Sequence, residues 1–74
     1  MTLDEVLIDC FCVVTKVNLD GIMRRRVMDI GIVPGTVICP VLDSFSGDPC
    51  AYLVKGSVVA LRKSDASLIE VSML

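Results

Sequence analysis

The sequence contains no histidine, only three aromatic residues and no long apolar run. The missing histidine removes the usual general base, and with it the usual partner of a serine or cysteine nucleophile. Nine carboxylates remain. They fall in turn-like stretches, at helix ends or on polar faces, and no spacing sets two of them up as an acid–base couple. No phosphate loop of the GxxxxGK type occurs. These absences argue against an enzyme. Phe11, Phe45 and Tyr52 are too few for a base-stacking platform. Seven bases against nine acids give a net charge of −2, whereas nucleic-acid modules carry a clear basic excess. Nucleic acid is therefore not an expected partner. A membrane helix needs about 18–20 apolar residues, and runs such as Val58-Val59-Ala60-Leu61 are strand-sized. Direct membrane insertion is not expected. The opening stretch "MTLDEVLID" carries early acids and no basic segment, so it does not read as a secretory signal. The expectation is a cytoplasmic protein with reduced thiols.

Apolar residues are what the chain has in excess: 54% of the total, with a mean hydropathy of +0.77. Its 74 residues suit one small domain, 1–74, and a domain of this size buries only about 60% of its unfolded surface. Some apolar surface is thus expected to face a partner or a second copy of the chain.

Local signals divide the chain. Thr2 and Glu5 have capping-box spacing, so residues 2–7 predict one helical turn. Residues 10–17, "CFCVVTKV", are rich in aromatic and β-branched residues and predict a strand. In "NLDGIMRRRVMDIG", Asn18 and Asp20 are both plausible caps. Met23, Val27 and Ile30 share one helical face. Gly31 fits the left-handed position that stops a helix, with Ile32 free to pack back on the last turn. Val33-Pro34-Gly35-Thr36 has the Pro and Gly of a type II turn. A strand follows over 36–42, where Pro40 demands an edge or a bulge. Residues 43–48, "DSFSGD", predict a loop. Residues 50–55 and 57–62 predict strands joined tightly at Lys55-Gly56. "KSDAS" predicts a short turn, and 68–73 a last strand with Ile69, Val71 and Met73 on its buried face. The result is mainly β: about five short strands with one short helix after the first. Such spacing suits a small barrel or sandwich, and closure would remove exposed edges.

Four groups of residues could carry function. Cys10 and Cys12, two apart, would share a face of a strand, and Cys39 and Cys50 lie on strands that would pair. The Cys-x-Cys spacing is not a zinc knuckle, and buried cysteine commonly packs as a small hydrophobe. A thiolate metal site on Cys10 and Cys12 is the alternative reading. Arg24, Arg25 and Arg26 step about 100° apart around a helix, so they do not form one stripe. Asp20–Arg24 and Arg25–Asp29 have ion-pair spacing, and Arg26 shares a side with Ile22. Ile22 and Met28 lie off the main apolar face, and Phe45 sits at a loop tip. Ile22, Arg24, Arg25, Met28 and Phe45 are the candidate partner-binding residues. No cofactor is called for.

The string "RRRVMDIGIVPGTVI" followed by "GDPCAYLVKGSVVALRKSDASLIEV" resembles the FeoA family of bacterial ferrous-iron uptake. The resemblance rests on Arg24–Arg26 leading to Gly31, on Pro34-Gly35-Thr36, and on Gly47-Asp48-Pro49. It continues through Gly56, Ala60-Leu61-Arg62 and Ala66 to Ile69-x-Val71. It implies an SH3-like barrel with a helix between the first two strands. It also implies a regulatory role beside FeoB, a membrane transporter with a cytosolic GTPase domain. The chain departs from the family pattern where Ile8-Asp9 stand in place of a frequent Pro-Gly, and where Cys12 stands in place of a small residue. The cysteines are outside that pattern. The reading is an accessory protein that docks on FeoB, with a thiolate metal-binding or iron-sensing domain as the alternative. A homo-oligomer, in which the apolar face meets itself, is a third reading.

Overall fold

A computed structural model describes all residues, 1–74. The chain begins with a 3₁₀ turn, Leu3–Glu5, in which the Glu5 carboxylate accepts the Thr2 backbone N–H at 2.8 Å. Strand β1 (Cys12–Val17) leads to helix α1 (Gly21–Ile30). Then come β2 (Val37–Asp43), β3 (Cys50–Val54), β4 (Ser57–Leu61), a single helical turn α2 (Lys63–Ala66), and β5 (Ile69–Met73).

The corner between α1 and β2 is built from local chemistry. Gly31 adopts φ 110°, its N–H donates to Met28 O, and the Ile32 N–H reaches back to Val27 O at 2.9 Å. That pair of bonds ties off the last helical carbonyls, and Ile32 folds fully into the core. Three residues after Ile32, Gly35 takes φ 94° and the Thr36 N–H closes onto Val33 O at 3.0 Å, as a type II turn requires. Thr36 Oγ1 donates to Gly31 O at 2.7 Å, so the helix stop and the turn form one braced unit. Between β3 and β4, Lys55 and Gly56 both have positive φ. This is the two-residue hairpin geometry that matches strand twist.

The five strands form one antiparallel sheet in the order β4-β3-β2-β1-β5. Pro40 lies in a central strand, and the register shifts between Pro40 and Leu42. The bulge of the sequence reading is therefore present and the edge alternative is not. A second shift falls between Val14 and Lys16. Bulges bend and twist strands locally. The expected closure into a barrel does not occur. β4 and β5 remain at opposite ends of the sheet. The outer edge of β5 is taken instead by the N-terminus: the Val71 N–H donates to Met1 O at 2.9 Å, and Thr2 bridges Glu70.

Leu3, Cys12, Val14, Val27, Ile32, Ile38, Val54 and Ile69 are almost fully buried and form the centre of the core. Of the predicted helix face, Val27 is buried and Met23 packs against the core, while Ile30 is 41% exposed. In the last strand Ile69 and Val71 are buried and Met73 is not. Helix α1 is ten residues long and meets the core most closely at Val27, at the start of its last turn.

Candidate functional site

The residues expected to bind a partner separate into three groups. Ile22 (77% exposed), Arg25 and the part-exposed Met28 lie along the outward side of α1, spaced by three. Residues three apart are neighbours on a helix surface, so these make a short apolar–basic strip. Arg24 does not belong to it. Its guanidinium turns inward and donates to Val17 O at 2.7 Å and to Leu19 O at 3.4 Å, in place of an ion pair with Asp20. These carbonyls close β1 and the loop before α1, and Arg24 fastens helix to strand. Such a role could not be read from helical spacing, because the acceptors are set by how the chain returns.

Phe45 is fully exposed at the tip of the 44–49 loop. The loop is held rather than loose. The Gly47 N–H donates to Ser44 O, Ser46 Oγ donates to Asp48 O, and Asp48 Oδ1 accepts the Lys63 N–H at 2.9 Å. Phe45 is thus presented by a loop tied to α2. No hydrogen bond or cavity joins it to the strip on α1.

The cysteines do not assemble a metal centre. β1 begins at Cys12, so Cys10 lies before the strand and does not share its alternation. Cys12 is wholly buried, and its thiol donates to Ile38 O at 3.3 Å. Cys39 stands opposite Leu53, and Cys50 opposite Asp43, so the two are not cross-strand neighbours. All four are free thiols. Burial pushes the Cys12 thiol up from 9.0 to about 11, with Cys39 adding to the rise. Burial likewise raises Cys39 and Cys50, the latter helped by Asp43. A thiolate is the form that binds metal or attacks, and these three environments hold the proton on. No three of the Cys, Asp and Glu side chains gather as a group that could hold a metal ion.

A small cavity of about 100 Å³ lies between the N-terminal turn, the loop and β3, lined by Asp4, Asp43, Cys50, Tyr52 and Lys63 among others. Tyr52 is buried, and burial raises its hydroxyl above the usual range, with Cys50 contributing. A larger, open groove lies between α1 and the end of β4, lined by Met23, Arg26, Leu61 and Arg62 among others. It was not evident in the sequence, because β4's position at the sheet edge depends on the pairing of all five strands. No helix is long and apolar enough to cross a membrane.

An open five-stranded antiparallel sheet, with its helix inserted after the first strand, defines an SH3-like domain. The comparisons with known proteins give the family. The FeoA domain matches residues 1–73, and the chain belongs to the FeoA family of ferrous iron transport. A FeoA-like protein from Clostridium acetobutylicum superposes with a TM-score of 0.89 at 38% identity, covering 100% of this chain and 86% of that one. FeoA of Chlorobium tepidum gives 0.95 at 31% identity, over 100% of this chain and 70% of its own. FeoA of Stenotrophomonas maltophilia was crystallised with zinc and is described as a procaryotic SH3 domain protein and a candidate activating factor of ferrous iron transport. It gives 0.86 at 30% identity, over 97% and 89% of the two chains. A Porphyromonas gingivalis protein, a fusion of Fe(2+) transport protein A with the Fe(2+) transporter FeoB, is 32% identical over 74 residues. The chain spans all of its own length but 9% of that relative.

Proposed function

We propose that this domain is an accessory, regulatory binding module of ferrous-iron uptake, acting in the cytoplasm on the cytosolic part of the FeoB transporter. The observation that carries the reading is the fusion relative, in which a FeoA segment and FeoB share one polypeptide. Two functions held on one chain work within reach of each other. The strip Ile22–Arg25–Met28 on α1 is the proposed docking face, and Phe45 on its braced loop is a second contact. Arg24 leaves the set, since its guanidinium is engaged within the domain. The exposed apolar residues and the absence of a histidine support contact rather than turnover as the work of the domain.

Docking regulates only if it discriminates. A bound domain shifts the transporter's populations when it binds one conformational or nucleotide state better than another. The test is a pull-down of the transporter's cytosolic part in each nucleotide state, paired with ferrous uptake in a deletion strain. Ile22→Asp and Arg25→Glu should weaken association and uptake together while the domain stays folded. No association in any nucleotide state, with normal uptake in the deletion strain, would overturn the reading.

A further inference from the structure

The sheet treats its two edges differently. The outer edge of β5 is occupied by Met1 and Thr2. β4 ends the other side with no strand beyond it. Edge strands are usually blunted by lysine, proline or a bulge. β4 reads Ser-Val-Val-Ala-Leu and pairs with β3 in unbroken register, so it carries none of these within its length. A two-residue hairpin makes Val54 and Ser57 a hydrogen-bonded pair, and the alternation of an antiparallel ladder follows from there. Ser57, Val59 and Leu61 then bond to β3. Val58 and Ala60 direct their N–H and C=O groups away from the sheet, and both residues are exposed.

An open groove of about 430 Å³ lies beside the end of this strand. Met23 and Arg26 of α1 line it together with Ala60, Leu61 and Arg62 at the end of β4, and Asp65 also borders it. An extended chain lying here would hydrogen-bond the free edge and meet two guanidinium groups against one carboxylate. A second copy of the domain fits poorly in the register that pairs Val58 of each copy with Ala60 of the other. Antiparallel pairing of two β4 strands about Val59 would bring Lys55 of one copy up to Arg62 and Lys63 of the other. Like charges placed opposite each other are destabilising.

We infer that the β4 edge and its groove against α1 take up, as a sixth strand, an extended segment of another polypeptide that alternates apolar with acidic residues. Backbone pairing with Val58 and Ala60 supplies the common affinity, and Arg26 and Arg62 select the acidic side chains, in the manner of strand addition to an open sheet edge. This site is distinct from the outward strip of α1 and does not depend on which protein supplies the segment.

The test uses the full chain, ¹⁵N-labelled, and a synthetic probe, acetyl-Glu-Val-Thr-Val-Glu-Val-amide, beside a control with lysine at both glutamate positions. The acidic peptide should shift the amide signals of Val58, Ala60 and Arg62 saturably and slow hydrogen exchange at the first two. Arg26→Glu and Arg62→Glu should each weaken binding about tenfold or more, as loss and reversal of a charge pair at an interface does. Ala60→Pro deletes an outward N–H without touching the β3 ladder, and should also weaken it. Arg62→Glu, which is exposed, keeps the test valid if the proline variant does not fold. Three results would overturn the inference: no binding of the acidic peptide, equal binding of the lysine control, or shifts confined to Ile22, Arg25 and Phe45. Protection of Val58 and Ala60 that rises with protein concentration alone would also overturn it, by showing a second copy at the edge. Because the readout needs no transporter, failure here leaves the docking proposal standing, and failure of that proposal leaves this one standing.

Discussion

Arg24 and Arg25 are adjacent and equally charged, yet one is spent on the fold and the other is free. The Arg24 guanidinium donates to the carbonyls of Val17 and Leu19. Hydrogen bonds from a charged donor contribute roughly 1.5–3 kcal/mol where well buried. Arg24 is largely exposed, so solvent screening brings the expected cost of Arg24→Ala down to about 1–2 kcal/mol. Arg25→Ala removes a solvated side chain and should change stability by less than about 0.5 kcal/mol. Urea titration of the two variants side by side checks the contrast. Equal midpoints would show that the inward bonds of Arg24 contribute nothing. Gly31 makes a second residue-scale case. Its φ of 110° lies in a region that side chains resist, and a β-carbon there would meet the Lys55 side chain at 3.0 Å. Lys55 can yield, since it is flexible, but the backbone cannot. Gly31→Ala should therefore cost about 1–3 kcal/mol, read as a lowered denaturation midpoint. Shortening Lys55 in the same variant should recover little of that loss.

At the scale of elements, the N-terminal turn acts as a plug and an edge guard together. Leu3 is fully buried and joins the central core, while Met1 and Thr2 cover β5. Truncating a buried leucine to alanine costs about 2–5 kcal/mol. A domain of this length has a total stability on the order of 4–10 kcal/mol. Leu3→Ala should thus remove a large part of the whole, and it should also free the β5 edge. The expected outcome is a much lower melting temperature accompanied by concentration-dependent aggregation, followed by light scattering. A variant that melts lower but stays monomeric would separate the plug from the guard. How far these elements were legible in the sequence follows from where their determinants lie. The Gly31 stop, the Pro34-Gly35 turn, the Thr2–Glu5 turn and the Pro40 bulge are fixed by neighbours in the chain, and each stands where the sequence places it. The open sheet is different. Short strands argue for closure, but whether β4 meets β5 depends on two bulges and on an N-terminus that claims one edge. The same reason hid the groove on β4 and the inward turn of Arg24. Spacing put Ile22 and Met28 off the main apolar face and set Arg26 beside Ile22, and the structure adds that Ile22, Arg25 and Met28 lie exposed along one side of α1.

At the scale of the molecule, the buried thiols couple the fold to pH. A free thiol in the unfolded chain ionises near 9.0, and in the folded protein burial and Cys39 raise Cys12 to about 11. Between those values the unfolded chain has released the proton and the folded chain still holds it. Stability falls with rising pH wherever the folded state binds more protons. The contribution of Cys12 is therefore complete below about pH 9 and lost progressively as pH rises to about 11. Cys39, Cys50 and Tyr52 are displaced in the same direction by burial, and add to the slope. Urea unfolding under reductant should show stability level through neutral pH and falling steeply on the alkaline side. Cys12→Ala should begin lower, because a packed side chain and its bond to Ile38 O are gone. It should then lose less between pH 9 and 11 than the parent does, because one linked proton has been removed. Parallel curves would mean that Cys12 ionises as freely in the fold as outside it. A thiol that ionises freely at the centre of the core would reopen the thiolate reading, which the structure gives no other reason to keep.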